Sequence, residues 1–191
     1  TGTVNSPVFA AAVFNPFGLT DVSYSASPSF VDIDNDGDLD AFVGEFTGSI
    51  FFSRNIGTTS NPVFAAATIN PFGLIDVGDF VSPVFVDIDN DGDLDAFVGG
   101  YQGNTLFFRN TGTASNPVFA TASTNPFGLT DVGIAASPSF VDIDGDGDLD
   151  ALIGNSVGNT LFFRNNGTVS NPVFAAASTN PFGLSKVGYS A

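Results

Sequence analysis

Carboxylates are concentrated in three ten-residue stretches of this 191-residue chain. The stretches read VDIDNDGDLD at 31–40, VDIDNDGDLD at 86–95 and VDIDGDGDLD at 141–150. Each places five aspartates at alternating positions, whereas only four residues in the whole chain are basic and the formal net charge is -16. Neighbouring carboxylates raise one another's pKa unless a cation neutralises them. The stretches therefore predict metal binding.

The spacing D-x-D-x-D-G-x-x-D suits calcium, which takes roughly six to eight oxygen ligands. Positions 1, 3, 5 and 9 offer side-chain carboxylates, and glycine at position 6 permits a sharp turn. Position 7 is expected to offer its backbone carbonyl, with its carboxylate turned outward or onto a water. One Ca²⁺ per complete repeat, three per chain, is predicted. The candidate metal ligands are Asp32, Asp34, Asp36, Asp38, Asp40, Asp87, Asp89, Asp91, Asp93, Asp95, Asp142, Asp144, Asp146, Asp148 and Asp150.

The acidic loops differ from an EF-hand, which carries a bidentate glutamate at position 12. Position 12 here is Val43, Val98 or Ile153, inside an apolar run. An all-oxygen ligand set disfavours zinc and copper, and a protein-rich cage disfavours Mg²⁺, which keeps its waters. The alternative is an Asp-rich turn capped by its own side chains. Three copies in register favour the metal.

Charge and composition exclude several other partners. Nucleic acid and anionic membrane surfaces both need a Lys/Arg footprint, which is absent. The longest apolar runs span only a few residues, so no membrane insertion is predicted. Without cysteine the chain forms no disulfide. Because the sequence begins TGTVNS, with neither an initiator Met nor a signal sequence, we expect an excised piece or a mature fragment.

Catalytic residues are scarce. The chain has no His and no Cys, which excludes Ser/His and Cys/His nucleophile systems. A carboxylate pair for glycosidic cleavage remains open, but nearly all aspartates lie in the acidic stretches. We expect no catalytic residues and no enzymatic activity.

The chain is one 55-residue unit repeated three times, after a partial copy. Residues 1–26 match the closing 26 residues of a unit, and are interpreted as the outer strand and linker of a preceding blade. Three whole units follow and agree with one another at most positions. They are 27–81 (blade 1), 82–136 (blade 2) and 137–191 (blade 3).

Each unit contains short apolar runs and lacks helical periodicity. In the first unit the predicted strands are SPSFVDID (27–34), LDAFVG (39–44), SIFFSRN (49–55) and PVFAAA (62–67). The runs are nearly continuous, so both faces of the strands should be covered. Four short strands per repeat, buried between copies, are typical of a β-propeller blade. The predicted fold is all-β, with three blades of four antiparallel strands and phenylalanine filling the core.

The sequence leaves the role of two sets of residues open. Arg54, Arg109 and Arg164 recur once per unit, and a structural ion pair is favoured over a ligand contact. The copies diverge most at 45–47 and at 79–81, with their equivalents. Sequence drift in solvent-exposed loops is favoured over ligand binding as the explanation for this divergence.

The DxDxDGxxD loop between two strands, the NPFGL segment and the GNTLFFRNTG strand resemble the FG-GAP/VCBS repeats of integrin-α-like β-propellers. The resemblance covers all three units. It implies four-stranded blades with calcium between the first and second strands, and an extracellular setting, often in large bacterial surface proteins. Propellers of that family usually have about seven blades, whereas this chain has three.

Three blades would leave two apolar faces uncovered. We expect a homodimer in which two chains join head to tail into a six-bladed ring. The N-terminal copy NSPVFAAA (5–12) would then be surplus, or would replace PVFAAA (172–177) of the neighbouring chain.

Three classes of function are compatible with these features. The first is a non-catalytic, calcium-stabilised module for extracellular interaction or adhesion, with a protein or glycan ligand. The alternative is a propeller lectin, for which the absence of Trp and the presence of only three Tyr count as a weakness. An enzyme is the third and least favoured.

Overall fold

The computed structural model describes residues 6–188. Over this range the protein is all-β, with three antiparallel sheets of four strands each, one in each 55-residue unit. In every sheet the strands lie side by side in chain order. The first sheet contains β1 Ser27–Val31, β2 Asp40–Gly44, β3 Ile50–Ser53 and β4 Thr68–Ile69. The second contains β5 Ser82–Val86, β6 Asp95–Gly99, β7 Thr105–Phe108 and β8 Ser123–Thr124, and the third β9 Ser137–Val141, β10 Asp150–Gly154, β11 Thr160–Phe163 and β12 Ser178–Thr179.

The second strand of each sheet is the most deeply buried. Adjacent residues of a strand point to opposite faces, and both Ala41 and Phe42 of β2 are fully buried. All five residues of β6 are buried. The prediction that continuous apolar runs form strands covered on both faces is confirmed for these strands.

The predicted fourth strand was wrong in its placement. In PVFAAA (62–67) only Phe64 forms an isolated bridge, to Asn55, and the outermost strand is β4 at Thr68–Ile69. The reason lies in the hydrogen bonds. Pro62 has no N–H to donate, and the N–H of Phe64 donates to the carbonyl of Phe17 in the linker preceding the sheet, at 2.9 Å. A continuous ladder with β3 is therefore not available to this segment.

The Asn-Pro-Phe-Gly linkers form single 3-10 turns at Pro16–Gly18, Pro71–Gly73 and Pro126–Gly128. Each turn starts from an asparagine with positive φ, such as Asn70 at 49°. Over the described range no helix has the length and apolarity needed to cross a membrane.

Successive sheets stack face against face. We call the face that contacts the following sheet the forward face, and the one that contacts the preceding sheet the rear face. The ring of Phe42, on the forward face of the first sheet, lies 4.1 Å from that of Phe85 on the rear face of the second. Phe97 and Phe140 repeat this contact at 4.3 Å between the second and third sheets. Two apolar cores result, one at each junction.

The first strands of the three sheets lie side by side along one edge of the stack. The hydroxyl of Ser27 donates to that of Ser82 at 3.3 Å, and the hydroxyls of Ser82 and Ser137 are 3.4 Å apart. Three four-stranded sheets stacked with their first strands adjacent are consistent with propeller blades.

Candidate metal centres

Each acidic stretch forms the loop between the first and second strands of a sheet. In the first sheet the pairing of Val31 with Asp40 fixes both ends of this loop. Inside it, Gly37 has a φ of 94°, a left-handed conformation that glycine adopts at little cost. The predicted role of the glycine at position 6 is confirmed. Asn35, at position 4, also has positive φ, at 57°.

The carboxylate at position 1 organises the loop. Asp32 accepts hydrogen bonds from the backbone N–H groups of Asp36 and Gly37, both at 3.0 Å. In the third repeat Asp142 accepts from Gly145 at 2.7 Å and Gly147 at 3.1 Å. The backbone therefore curls around this carboxylate and turns the following side chains toward it.

Three of the five aspartates of each loop converge. One oxygen from each of positions 1, 3 and 5 lies within 4.8 Å of the other two. Because Ca²⁺–O distances are about 2.3–2.6 Å, three oxygens at such separations can reach one shared ion. Positions 7 and 9 are not part of these groups. The groups are Asp32, Asp34 and Asp36; Asp87, Asp89 and Asp91; and Asp142, Asp144 and Asp146.

Buried carboxylate oxygens without any hydrogen-bond partner occur at positions 3, 7 and 9 of the first two loops and at positions 7 and 9 of the third. In the first loop they are Oδ1 of Asp34, Oδ1 of Asp38 and Oδ2 of Asp40. Burying an unpaired charge is costly, so buried charges in proteins are paired or bind metals. The residues therefore fit a hard cation. The equivalent atoms in the other loops are Oδ1 of Asp89, Asp93 and Asp148, and Oδ2 of Asp95 and Asp150.

The position-7 carboxylate is not turned fully outward. The sequence predicted that Asp38 would direct it outward or onto a water, and its Oδ1 is buried. Burial, together with the nearby charges of Asp36 and Asp32, raises the pKa of Asp38. Asp38 directly follows Gly37, the residue at the loop turn, and its backbone N–H donates to Oδ1 of Asp36 at 3.1 Å.

The carboxylate at position 9 is held by a backbone N–H group just after the third strand of the sheet. Oδ1 of Asp40 accepts the backbone N–H of Asn55 at 2.7 Å, and Asp95 and Asp150 accept equivalent bonds from Asn110 and Asn165. Burial raises the pKa of Asp40 to about 6 and that of Asp95 to about 7, despite these hydrogen bonds.

The recurrent arginines reach the acidic loops. Arg54 forms an ion pair with Asp34 and lies 3.8 Å from Asp36. Arg164 pairs with Asp144 at 2.6 Å and Asp146 at 3.3 Å. The ion-pair interpretation of the arginines is confirmed. Each arginine side chain is about half exposed, as for Arg54 at 54%, so it offsets part of the loop charge from the solvent side.

The sequence comparison agrees with this geometry. The chain matches the FG-GAP-like repeat at residues 32–98 and again at 87–153. Each match runs from one acidic loop through the next, and together they cover more than half of the chain. The chain belongs to the FG-GAP-like repeat family. No match was found among curated proteins.

The opposite end of the FG-GAP-like sheets carries the segments that vary between repeats. The N–H of Phe80 donates to the carbonyl of Phe46 at 3.1 Å, and that of Tyr101 to the carbonyl of Asp79 at 2.7 Å. The two variable segments, at 45–47 and 79–81 in the first unit, are thus neighbours. Tyr189, the third tyrosine, lies outside the described residues.

A cavity of about 340 Å³ opens beside these variable segments. Its lining includes Asp79, Tyr101, Gln102 and Asn104. The ring of Tyr101 stacks on that of Phe80, with centroids 5.5 Å apart, and is 45% exposed. The site combines an aromatic face with polar groups. The sequence analysis, which explained these segments by sequence variation in exposed loops, did not predict a cavity here.

Proposed function

We propose that this chain is a non-catalytic, calcium-binding β-propeller module of an extracellular interaction or adhesion protein. One observation carries the proposal: in each loop, buried carboxylate oxygens without donors accompany three converging carboxylates. Calcium is favoured because every candidate ligand is oxygen and several are contributed by the protein itself.

The ion would supply structural stabilisation. Positions 1, 3, 5, 7 and 9 of each loop would hold it, with the position-1 carboxylate keeping its hydrogen bonds to the loop backbone. A cation that binds only the folded protein raises stability by mass action. It would also reduce the repulsion among the five carboxylates of the loop that joins two strands of one sheet.

The extracellular assignment rests on the family. FG-GAP-like repeats typically occur in extracellular proteins. Sites in extracellular modules bind calcium with dissociation constants of roughly 10⁻⁴ to 10⁻³ M, and such weak sites are filled only where calcium is abundant. The absence of His and Cys from the chain supports a role without catalysis.

Calorimetric melting with and without a calcium chelator tests the proposal. We expect the midpoint to fall on chelation, and isothermal titration to give three sites per chain. Asp87→Asn should remove one site. Asp131→Asn is the matched control, because it removes one charge outside the loops while its side-chain oxygen can still accept the N–H of Gly133. An unchanged midpoint on chelation would refute a structural calcium role.

A second candidate function is glycan binding in the cavity beside Tyr101. Sugars stack on aromatic faces and hydrogen-bond to carboxylate and amide groups, and Asp79, Gln102 and Asn104 offer such groups beside Tyr101. A glycan array tests this directly. Binding that is lost in Tyr101→Ala and retained in Tyr101→Phe would support it, and the absence of any binding would remove it.

A further inference from the structure

The two ends of the stack expose faces that are buried everywhere else in the chain. At the forward end, Leu184 is 47% exposed, whereas its equivalents Leu74 and Leu129 are each 4% exposed. Ile143 is likewise 41% exposed, against 2% for Ile33 and 3% for Ile88. The forward face of the third sheet therefore has the same chemistry as two buried faces, without a following sheet among the described residues.

The rear end shows the complementary exposure. Phe30 is 48% exposed, whereas its equivalent Phe85 is 9% exposed because Phe42 covers it. Beside Phe30 lies a largely apolar cavity of about 220 Å³, which Leu39 and Phe64 also line. Its position is the one that a preceding forward face would fill.

We propose that a second copy of this chain covers both ends, joining head to tail so that two chains close a ring of six sheets. The occupant follows from the repeat. Forward and rear faces of this same sequence already pack on each other twice within the chain. In the new junction, Leu152 of one copy takes the place of Phe42 and Phe97 and covers Phe30 of the other. A contact between two different faces is heterologous and forms a ring when its rotation closes.

The N-terminal linker already occupies part of the rear face. The carbonyl of Phe17 accepts the N–H of Phe64 at 2.9 Å, as that of Phe72 accepts the N–H of Phe119 at 2.8 Å. In the dimer, Phe182 of the second copy would compete for this hydrogen bond. One of two nearly identical segments, 15–22 or 180–187, must therefore leave when the ring closes.

A complementation experiment tests the ring. Leu184→Lys alters the forward face and Phe30→Lys the rear face, while Val118→Lys changes a residue that is 54% exposed and lies on neither face. Sedimentation in calcium buffer should give a dimer for the unaltered chain and for Val118→Lys. Each face variant alone should be monomeric, with self-association weakened by more than about tenfold, because each places an unpaired charge in both apolar junctions.

Mixing the two face variants is the decisive arm. One intact forward face and one intact rear face remain in the mixture, so a dimer should reappear, which a contact between two identical faces would not produce. Circular dichroism shows that each variant is folded. A monomeric unaltered chain, dimeric single variants, a mixture that stays monomeric, or a ladder of species larger than a dimer would each overturn the proposal.

Discussion

The backbone N–H of Asn55, two residues past the end of β3, donates to Oδ1 of Asp40, the first residue of β2, at 2.7 Å. This bond uses one oxygen of the carboxylate and leaves Oδ2 buried without a partner. Asp40 is thus both part of the framework of the sheet and a candidate ligand. Its position-9 equivalents repeat the arrangement in every repeat.

Replacing Asp95 by Asn separates these two roles. The amide oxygen can still accept the N–H of Asn110, but an NH₂ group replaces the unpartnered oxygen. We expect Asp95→Asn to lower the calcium stoichiometry from three to two by isothermal titration. In chelator its stability should be equal or higher by about 1–3 kcal/mol, because an uncompensated buried charge is removed. Lower stability in chelator would contradict this role.

Stability should depend on pH in opposite directions with and without calcium. Burial raises the pKa of Asp40 to about 6 and of Asp95 to about 7, above the unfolded values near 4. Without metal, the folded state binds protons more tightly than the unfolded state. The resulting stabilisation is complete below about pH 4 and is lost as pH rises through 6 to 7.

With calcium bound, ionised carboxylates are needed, so stability should instead rise over the same interval. Urea denaturation at several pH values, in calcium and in chelator, measures both slopes. Parallel slopes under the two conditions would argue against metal binding by these carboxylates.

The arginine beside each loop should weaken calcium binding. Arg109 forms ion pairs with Asp89 and Asp91, close to the converging oxygens. Arg109→Gln removes a like charge from the neighbourhood of the cation, and we expect the affinity of that site to increase by about 2- to 10-fold. The increase should shrink at high salt, since the arginine is half exposed. Arg109→Lys keeps the charge and is the control; an equal gain in both variants would exclude a charge effect.

Two glycines should differ in the cost of adding a methyl group. Gly92 has a φ of 94° with open space where a β-carbon would lie, so Gly92→Ala should cost only backbone strain, about 1–2 kcal/mol. At Gly103 a β-carbon would also overlap the backbone carbonyl of Gly133 in the next linker. Denaturation in calcium should therefore show a greater loss for Gly103→Ala. Equal losses would mean that the linker can move aside.

The strands that could be predicted were those whose pairing is local. The runs that became β1, β2 and β3 are adjacent, apolar and bounded by turns, so residue type was sufficient. The fourth strand was misplaced because the hydrogen bond of Phe64 goes to Phe17, about one repeat earlier in the chain. No local pattern contains that contact.

In the candidate site, too, the local features could be predicted from the sequence and the long-range contacts could not. The spacing of the aspartates and the glycine at position 6 predicted the loop, its turn and the convergence of the candidate ligands at positions 1, 3 and 5. A left-handed residue at position 4 could also have been inferred, because Asn35, Asn90 and Gly145 are residue types that tolerate positive φ. The pairing of Arg54 with Asp34 depends on how β3 is placed beside the loop, and the spacing alone does not contain that information.

The 55-residue period also bears on how such chains change size. Every whole unit carries one forward face and one rear face. The Phe42–Phe85 and Phe97–Phe140 contacts show that these two faces pack on each other at both junctions. A gene duplication or deletion of one unit leaves both terminal surfaces chemically unchanged. The number of units can therefore change during evolution without any new type of contact. The limit on that number is the curvature of the assembly, which sets how many units can close into a ring.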